Sequence, residues 1–175
     1  MFTTVGTAEK RIFIRKLSPA IPDKHIGNSQ NTSFEQMIMR QTNGRGVDIV
    51  LNSLTEEKFI ASIRCLAKRD RFLEIGKFDI LSNNPLSLFL FFLNISFYPI
   101  LLDAMFTSNY KNKSRLSKLM AKGLKSGNIK PIQMTVFPKS EIEAAFRYMA
   151  SGKHMGKMRL QQLNISFKLL LKSCA

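Results

Sequence analysis

The stretch that most restricts the fold runs from residue 47 to residue 75, where two short apolar runs flank a helical pattern. VDIVL (47–51) and FLEI (72–75) are nearly continuous in apolar residues and do not alternate. A strand that is apolar on both sides needs cover on both sides, which is the condition of a parallel sheet. Between the two runs, Phe59, Ile60, Ile63 and Leu66 recur at helical spacing and share one side of a helix. Parallel neighbours need a crossover, so strand, helix, strand with short links reads as one unit of a parallel α/β fold.

The same alternation extends in both directions. FTTV (2–5) is β-rich and precedes the helix-compatible TAEKRIFIRKL; HIGNS (25–29) follows, then a helix with Phe34, Met37 and Ile38 on one face. Asn43-Gly44 and Gly46 mark a turn before VDIVL. Three pairs, Thr32/Glu35, Ser53/Glu56 and Ser140/Glu143, have capping-box spacing and predict helix starts. In the uncharged run 85–102, Pro85 and Pro99 bracket the segment while Asn94 and Ser96 interrupt it. These breaks argue against a membrane span and for a buried helix, PLSLFLFFL, followed by a buried strand, FYPILL. After Asn128 come an extended IKPIQMTVF, a helix with Ile142, Ala145, Phe146 and Met149 aligned, Gly152 as its C-cap, and a final strand GKMRL. The expected architecture is a doubly wound parallel α/β sheet with a C-terminal strand–helix–strand segment.

Charge bears on partners. A formal net charge of +15 over 175 residues attracts phosphates of any origin: nucleic acid, anionic lipid or a phosphorylated cofactor. The densest stretch, 110–125, reads as an amphipathic helix with Leu116, Leu119, Met120 and Leu124 on one side and solvated lysines on the others. No RNA-stacking motif or helix-turn-helix signature accompanies it, so a nucleic-acid partner is not expected. Cys65 and Cys174 are far apart without ligand spacing, which suggests a reducing compartment and no metal site. The N-terminal residues lack the apolar core of a secretory signal, and the expected location is cytoplasmic.

In a doubly wound sheet, ligands sit beyond the carboxyl ends of the strands. Gly6-Thr7, Asn52-Ser53 and Gly76-Lys77 all fall just past such ends. Lys77 therefore belongs at the rim of a ligand crevice. There it either touches a cofactor, stands exposed or takes part in chemistry. His154, among cations and without a nucleophile beside it, reads as a surface or packing residue.

The stretches FTTVGTAEKR, NTSFEQMIMRQTNGRGVDIVLNSLTEEKFIASIRCLAKRDRFLEIGKFD, FYPILLDAMF and VFPKSEIEAAFRYMASGKHMGK together resemble one family. They look like the enoyl reductase domain of animal-type fatty acid synthase, within the medium-chain dehydrogenase/reductase superfamily, collinear over about residues 2–160. The resemblance implies an NADPH-dependent reduction of an enoyl thioester carried on acyl carrier protein, in a cytoplasmic synthase that is a homodimer when intact. It implies hydride delivery to the β-carbon and protonation at the α-carbon. On the family pattern Lys77 and Asp103 match the two polar residues proposed for that chemistry, one stabilising the thioester oxygen or donating the proton, the other its partner or the alternative acid. For Asp103 a helix N-cap or strand-end carboxylate is the competing reading. The 2′-phosphate of NADPH favours cations where NAD-binding folds place an acid, and Thr7, Lys10 and Arg11 occupy that zone. Asn28 and Ser29 match the adenosine end, and Asn52, Ser53, Gly76, Lys153 and Lys157 complete the implied cofactor set. A related quinone oxidoreductase, a polyketide-type enoyl reductase, or a non-catalytic basic phosphate-binding or nucleic-acid-binding protein derived from the domain are the alternatives.

The family pattern also shows what is not here. The strand and Gly-rich turn that open a Rossmann-type domain have no counterpart, since NGRG at 43–46 precedes a strand instead of a helix. The expectation is an incomplete Rossmann-type sheet lacking its first strand, in a fragment: residues 1–128 as a partial NADP-binding domain, 129–160 as the segment that in the family rejoins the substrate domain, and 161–175 as an unassigned tail. Gln30 stands where an arginine is common, Asp70 and Ser87 where glycines are, and Tyr98-Pro99 where the family tends to have His-Gly.

Overall fold

The computed structural model describes residues 1–106 and 112–161, so the tail from 162 onward lies outside the described residues. The chain divides into two compact units, Met1–Lys118 and a second beginning at Leu119. The division falls about ten residues before the change in character expected after Asn128, inside a helix.

The first unit alternates as its sequence predicts. It runs β1 (Thr3–Val5), α1 (Ala8–Leu17), a 3₁₀ turn (Asp23–His25), β2 (Ile26–Asn28), α2 (Ser33–Gln41), β3 (Val47–Asn52), α3 (Glu57–Arg64), β4 (Leu66–Glu74), α4 (Phe78–Leu81), α5 (Phe89–Phe92), β5 (Ser96–Pro99) and a 3₁₀ segment (Leu102–Phe106). Helix α6 (Lys113–Lys125) spans the division. All described strand pairings are parallel, as the continuous apolar runs require. β1 pairs with β2, and β3, β4 and β5 form a second sheet in that order. No ladder joins β1 to β3.

Two apolar clusters hold the unit together. Val50, Phe72 and Phe97 are register partners across β3, β4 and β5, and they turn toward Phe59 and Ile63 of α3. The Phe72 and Phe97 rings stack 5.4 Å apart, and Phe59 meets both edge-on at 5.7 and 6.2 Å, a favoured aromatic geometry. The second cluster joins Phe34 and Ile38 of α2 to Ala61 and Cys65 at the other side of α3, with Phe2 and Val47 packed against it. Burial there pushes the Cys65 thiol up to about 12. The Arg64 guanidinium donates to both Glu35 oxygens at 2.7 Å, tying α3 to α2. Gly27 permits the contact beneath: a Cβ there would meet Phe34 Cβ at 2.7 Å.

Several expectations are corrected in detail. None of the three capping boxes closes through its own side chains. Thr32 makes no side-chain cap, and Asn31 Oδ1 instead accepts from the Ser33 amide at 3.0 Å while Glu35 is held by Arg64. The α3 helix starts at Glu57, and its entrance is capped by the distant Asp79, whose two oxygens accept from the Glu56 amide at 3.1 Å. The helix at Ile142–Ala150 lacks a side-chain cap as well, Glu143 pairing with Arg147. The buried helix expected from PLSLFLFFL is the four-residue α5, with Leu88, Phe89 and Phe92 exposed. Its strand lies earlier than FYPILL, at Ser96–Pro99, so Pro99 ends the strand where its missing N–H costs no ladder bond. The glycine-favouring conformation expected near Asp70 falls on Arg69, at φ +70°, where β4 slips register against β3.

In the second unit β6 (Met134–Pro138), a 3₁₀ turn (Lys139–Glu141), α7 (Ile142–Ala150) and β7 (Lys157–Gln161) form the expected strand–helix–strand, with β6 and β7 parallel. Gly152 follows α7 at φ +66°, the left-handed turn that terminates a helix. No described helix is long and apolar enough to cross a membrane.

Candidate active site at the strand ends

Asn52, Glu74 and Pro99 sit opposite one another at the carboxyl ends of β3, β4 and β5. The ladder runs one step further: the Ile75 amide donates to the Asn52 carbonyl at 3.0 Å, and the Ile100 amide to the Glu74 carbonyl at 2.8 Å. Past this edge the chain from β4 turns at Gly76 and presents Lys77, which opens α4. The chain from β5 continues into the 3₁₀ segment that carries Asp103. Lys77 Nζ and Asp103 Oδ2 form an ion pair. The two residues, 26 positions apart in sequence, are thus brought together by the parallel register of β4 and β5. The pair is open to solvent, Lys77 at 44% and Asp103 at 71% side-chain exposure, so a ligand can reach both.

Beneath that pair lies a buried carboxylate that the sequence did not single out. Glu74 is only 3% exposed. Its Oε2 accepts from Asn52 Nδ2 at 2.6 Å, and its Oε1 accepts from the Gly76 amide at 2.5 Å. Burial raises the Glu74 pKa; the Asn52 and Gly76 hydrogen bonds oppose the rise, and the Asp79 charge adds to it. A Cβ at Gly76 would sit 2.6 Å from Glu74 Oε1, so a larger residue would displace that carboxyl oxygen. Asn52 is spent on local structure: Nδ2 also donates to the Leu54 carbonyl at 2.8 Å, and Oδ1 accepts from the Leu54 amide. Ser53 is exposed beside it. The sequence signal for Glu74 was its place as the single charge within FLEI.

A second group of expected residues stands at the carboxyl ends of β1 and β2. Thr7 caps α1, its Oγ1 accepting from the Lys10 amide at 3.2 Å. The Arg11 guanidinium donates to the Asp23 carboxylate at 2.9 and 3.1 Å, the Asp23 carbonyl at 2.7 Å and the Ile26 carbonyl at 2.7 Å. It fastens α1 to the start of β2. Asn28 Oδ1 accepts from the Gln30 amide at 2.9 Å, and the Ser29 amide donates to the Val5 carbonyl at 3.0 Å. Gln30, in the position where arginine was expected, reaches Gly6 O at 3.4 Å. Lys153 and Lys157 are exposed in the second unit, Lys153 in the turn after α7 and Lys157 at the start of β7.

The profile of the zinc-binding dehydrogenase family matches residues 23–159. The chain belongs to the zinc-binding dehydrogenase family. Among the described residues of this family member, no group of three or more His, Cys, Asp or Glu side chains stands together to hold a metal ion, so they do not fit the zinc of the family's name. The highly reducing polyketide synthase frbB of Dothideomycetidae sp. (strain 11243) is 40% identical over 160 residues, which covers 91% of this dehydrogenase-family chain and 6% of that protein. The CurK enoyl reductase is a solved structure 31% identical, with TM-score 0.73, covering 91% of this chain and 47% of that one. The nucleotide-binding subdomain of the enoylreductase domain of PpsC from Mycobacterium tuberculosis is 29% identical, with TM-score 0.64, covering 74% of this chain and 70% of that one. The chain therefore spans a small part of its curated relatives and about half of the CurK enoyl reductase. The curated relative is a polyketide synthase and the two solved structures are enoyl reductases, so the resemblance to the fatty acid synthase reductase holds at the level of an enoyl-reductase-like domain.

Proposed function

We propose that this chain is the nucleotide-binding part of an NADPH-dependent enoyl-thioester reductase domain, working on an enoyl chain carried by acyl carrier protein in a cytoplasmic, homodimeric synthase. The observation that carries the reading is the Lys77–Asp103 pair at the carboxyl edge of a parallel sheet. The polyketide-synthase relatives favour a polyketide-type reductase over the fatty acid synthase type, with the same reaction in either case.

NADPH, when bound, supplies the hydride that adds to the β-carbon of the enoyl thioester. The electrons of the double bond then move toward the thioester oxygen. The Lys77 ammonium stabilises that developing charge and passes a proton to the α-carbon, which completes the reduction. Lys77 regains its proton from solvent, and Asp103 holds its side chain in place meanwhile. On the cofactor side, Lys10 and Ser29 supply a cation and a hydroxyl for a phosphate at the β1–β2 end. Asn28, with Thr7 and Arg11 shaping the backbone around it, lines that end. Asn52, Ser53 and Gly76 form the edge nearest Lys77, and Lys153 and Lys157 are further cations of the same proposal.

The test replaces the matching half of the CurK enoyl reductase with residues 2–160 of this chain. The expected result is NADPH oxidation that depends on an enoyl thioester. Lys77→Ala is expected to lower kcat by about 10²–10³-fold, the cost of one electrostatic donor, with the KM for NADPH nearly unchanged. Full activity in the Lys77→Ala chimera would refute the assignment.

A further inference from the structure

We propose that Glu74 is the positioning residue of this site: its buried carboxylate grips the Asn52 side chain and the Gly76 amide at once, and so fixes the turn that carries Lys77 to Asp103. This rests on the reading of Lys77 as the reactive residue. Three observations converge. Glu74 is nearly sealed from solvent, yet both of its oxygens are engaged by donors from different strand ends, at 2.6 and 2.5 Å. The residue it holds, Gly76, immediately precedes Lys77, and a Cβ there would meet the same carboxyl oxygen at 2.6 Å. Its own backbone carbonyl receives the Ile100 amide from the β5 side, the chain that leads to Asp103. One residue thereby ties together the exits of all three strands.

The charge state matters to this arrangement. An ionised carboxylate accepts at both oxygens but is costly to bury, so ionisation favours an open turn in which Glu74 meets water. The charged groups around Glu74 are Asp79 of α4, which opposes ionisation, and the Lys77–Asp103 pair past the turn; Asn52 of β3 and Pro99 of β5 are neutral. Burial and Asp79 both move the titration of Glu74 upward, so the closed turn favours the neutral carboxyl and loosens as Glu74 ionises.

The experiment is amide hydrogen exchange on the full chain, comparing residues 75–80 with the core helix at 59–64, from about pH 4 to about pH 8 after correction for intrinsic rates. Protection of the turn is expected to fall on the order of tenfold as pH rises and Glu74 ionises, with the core helix unchanged. Glu74→Gln should flatten that profile, and Asp79→Asn should shift it to lower pH while leaving it in place. A pH-independent turn in the unmodified chain overturns the proposal, as does a turn and core that lose protection in parallel. So does abolition of the response by Asp79→Asn. The profile of the unmodified chain decides the matter even where Glu74→Gln fails to fold. Neither nucleotide nor thioester is present, so failure here leaves the reductase assignment standing, and failure of the chimera leaves this result standing.

Discussion

Glu74 illustrates how one side chain sets a cost and a role together. Its folded pKa is raised above the ordinary 4.5, so the fold favours the neutral form. The contribution to stability is fully present below the unfolded value and is lost as pH rises through the folded one. Relative to Glu74→Gln, whose side chain does not titrate, the unmodified chain is expected to lose stability in urea unfolding as pH rises from the ordinary glutamate value through the raised folded one. A difference that grows in favour of Glu74 with rising pH would contradict the sign. A carboxylate kept where its charge is unfavourable is a mark of functional sites. Lys77 and Asp103 were legible in the sequence because each closes an apolar run at a strand end, and family likeness singled out both. Glu74 was not, since its neighbours Asn52 and Gly76 become neighbours only through the register of β3 and β4. The pairing of Arg11 with Asp23, 12 residues on, was hidden for the same reason, since only the fold brings the two together.

At the scale of elements, periodicity located the helices and strands well, while their ends were set from elsewhere. The stripe of Phe59, Ile60 and Ile63 marked α3, but its cap comes from Asp79, 23 residues beyond Glu56. Asp79→Ala is therefore expected to cost about 1 kcal/mol in urea unfolding, the size of a lost helix cap, and Ser53→Ala less than about 0.5 kcal/mol. The reverse ranking would return the cap to the local box. The short α5 shows the other limit: an apolar run predicts burial only where something covers it, and here Phe89 and Phe92 remain exposed.

For the first unit as a whole, the notable feature is the sheet side that turns away from α3. Ile49 and Leu51 of β3 are 49% and 66% exposed, on a strand whose outer edge has no ladder partner among the described strands. Apolar residues beside an unpaired edge favour pairing with another chain. Concentration-dependent association is expected in sedimentation velocity, and Leu51→Lys should shift the population toward monomer, with helix content retained. Association unchanged by that substitution would place the contact elsewhere. The parallel α/β architecture was legible from continuous apolar runs, and the separation into distinct sheets was not, because no local pattern records which strands fail to meet.

The Glu35–Arg64 bridge and the cluster around Cys65 join α2, which packs on β2, to α3, which packs on the other sheet. The two sheets are thus leaves bound along a helical spine, without a shared ladder between them. Loosening that spine would let the leaves swing apart while each kept its own backbone pairing, so the carboxyl ends of β1 and β2 would move relative to the lysine end without breaking a strand.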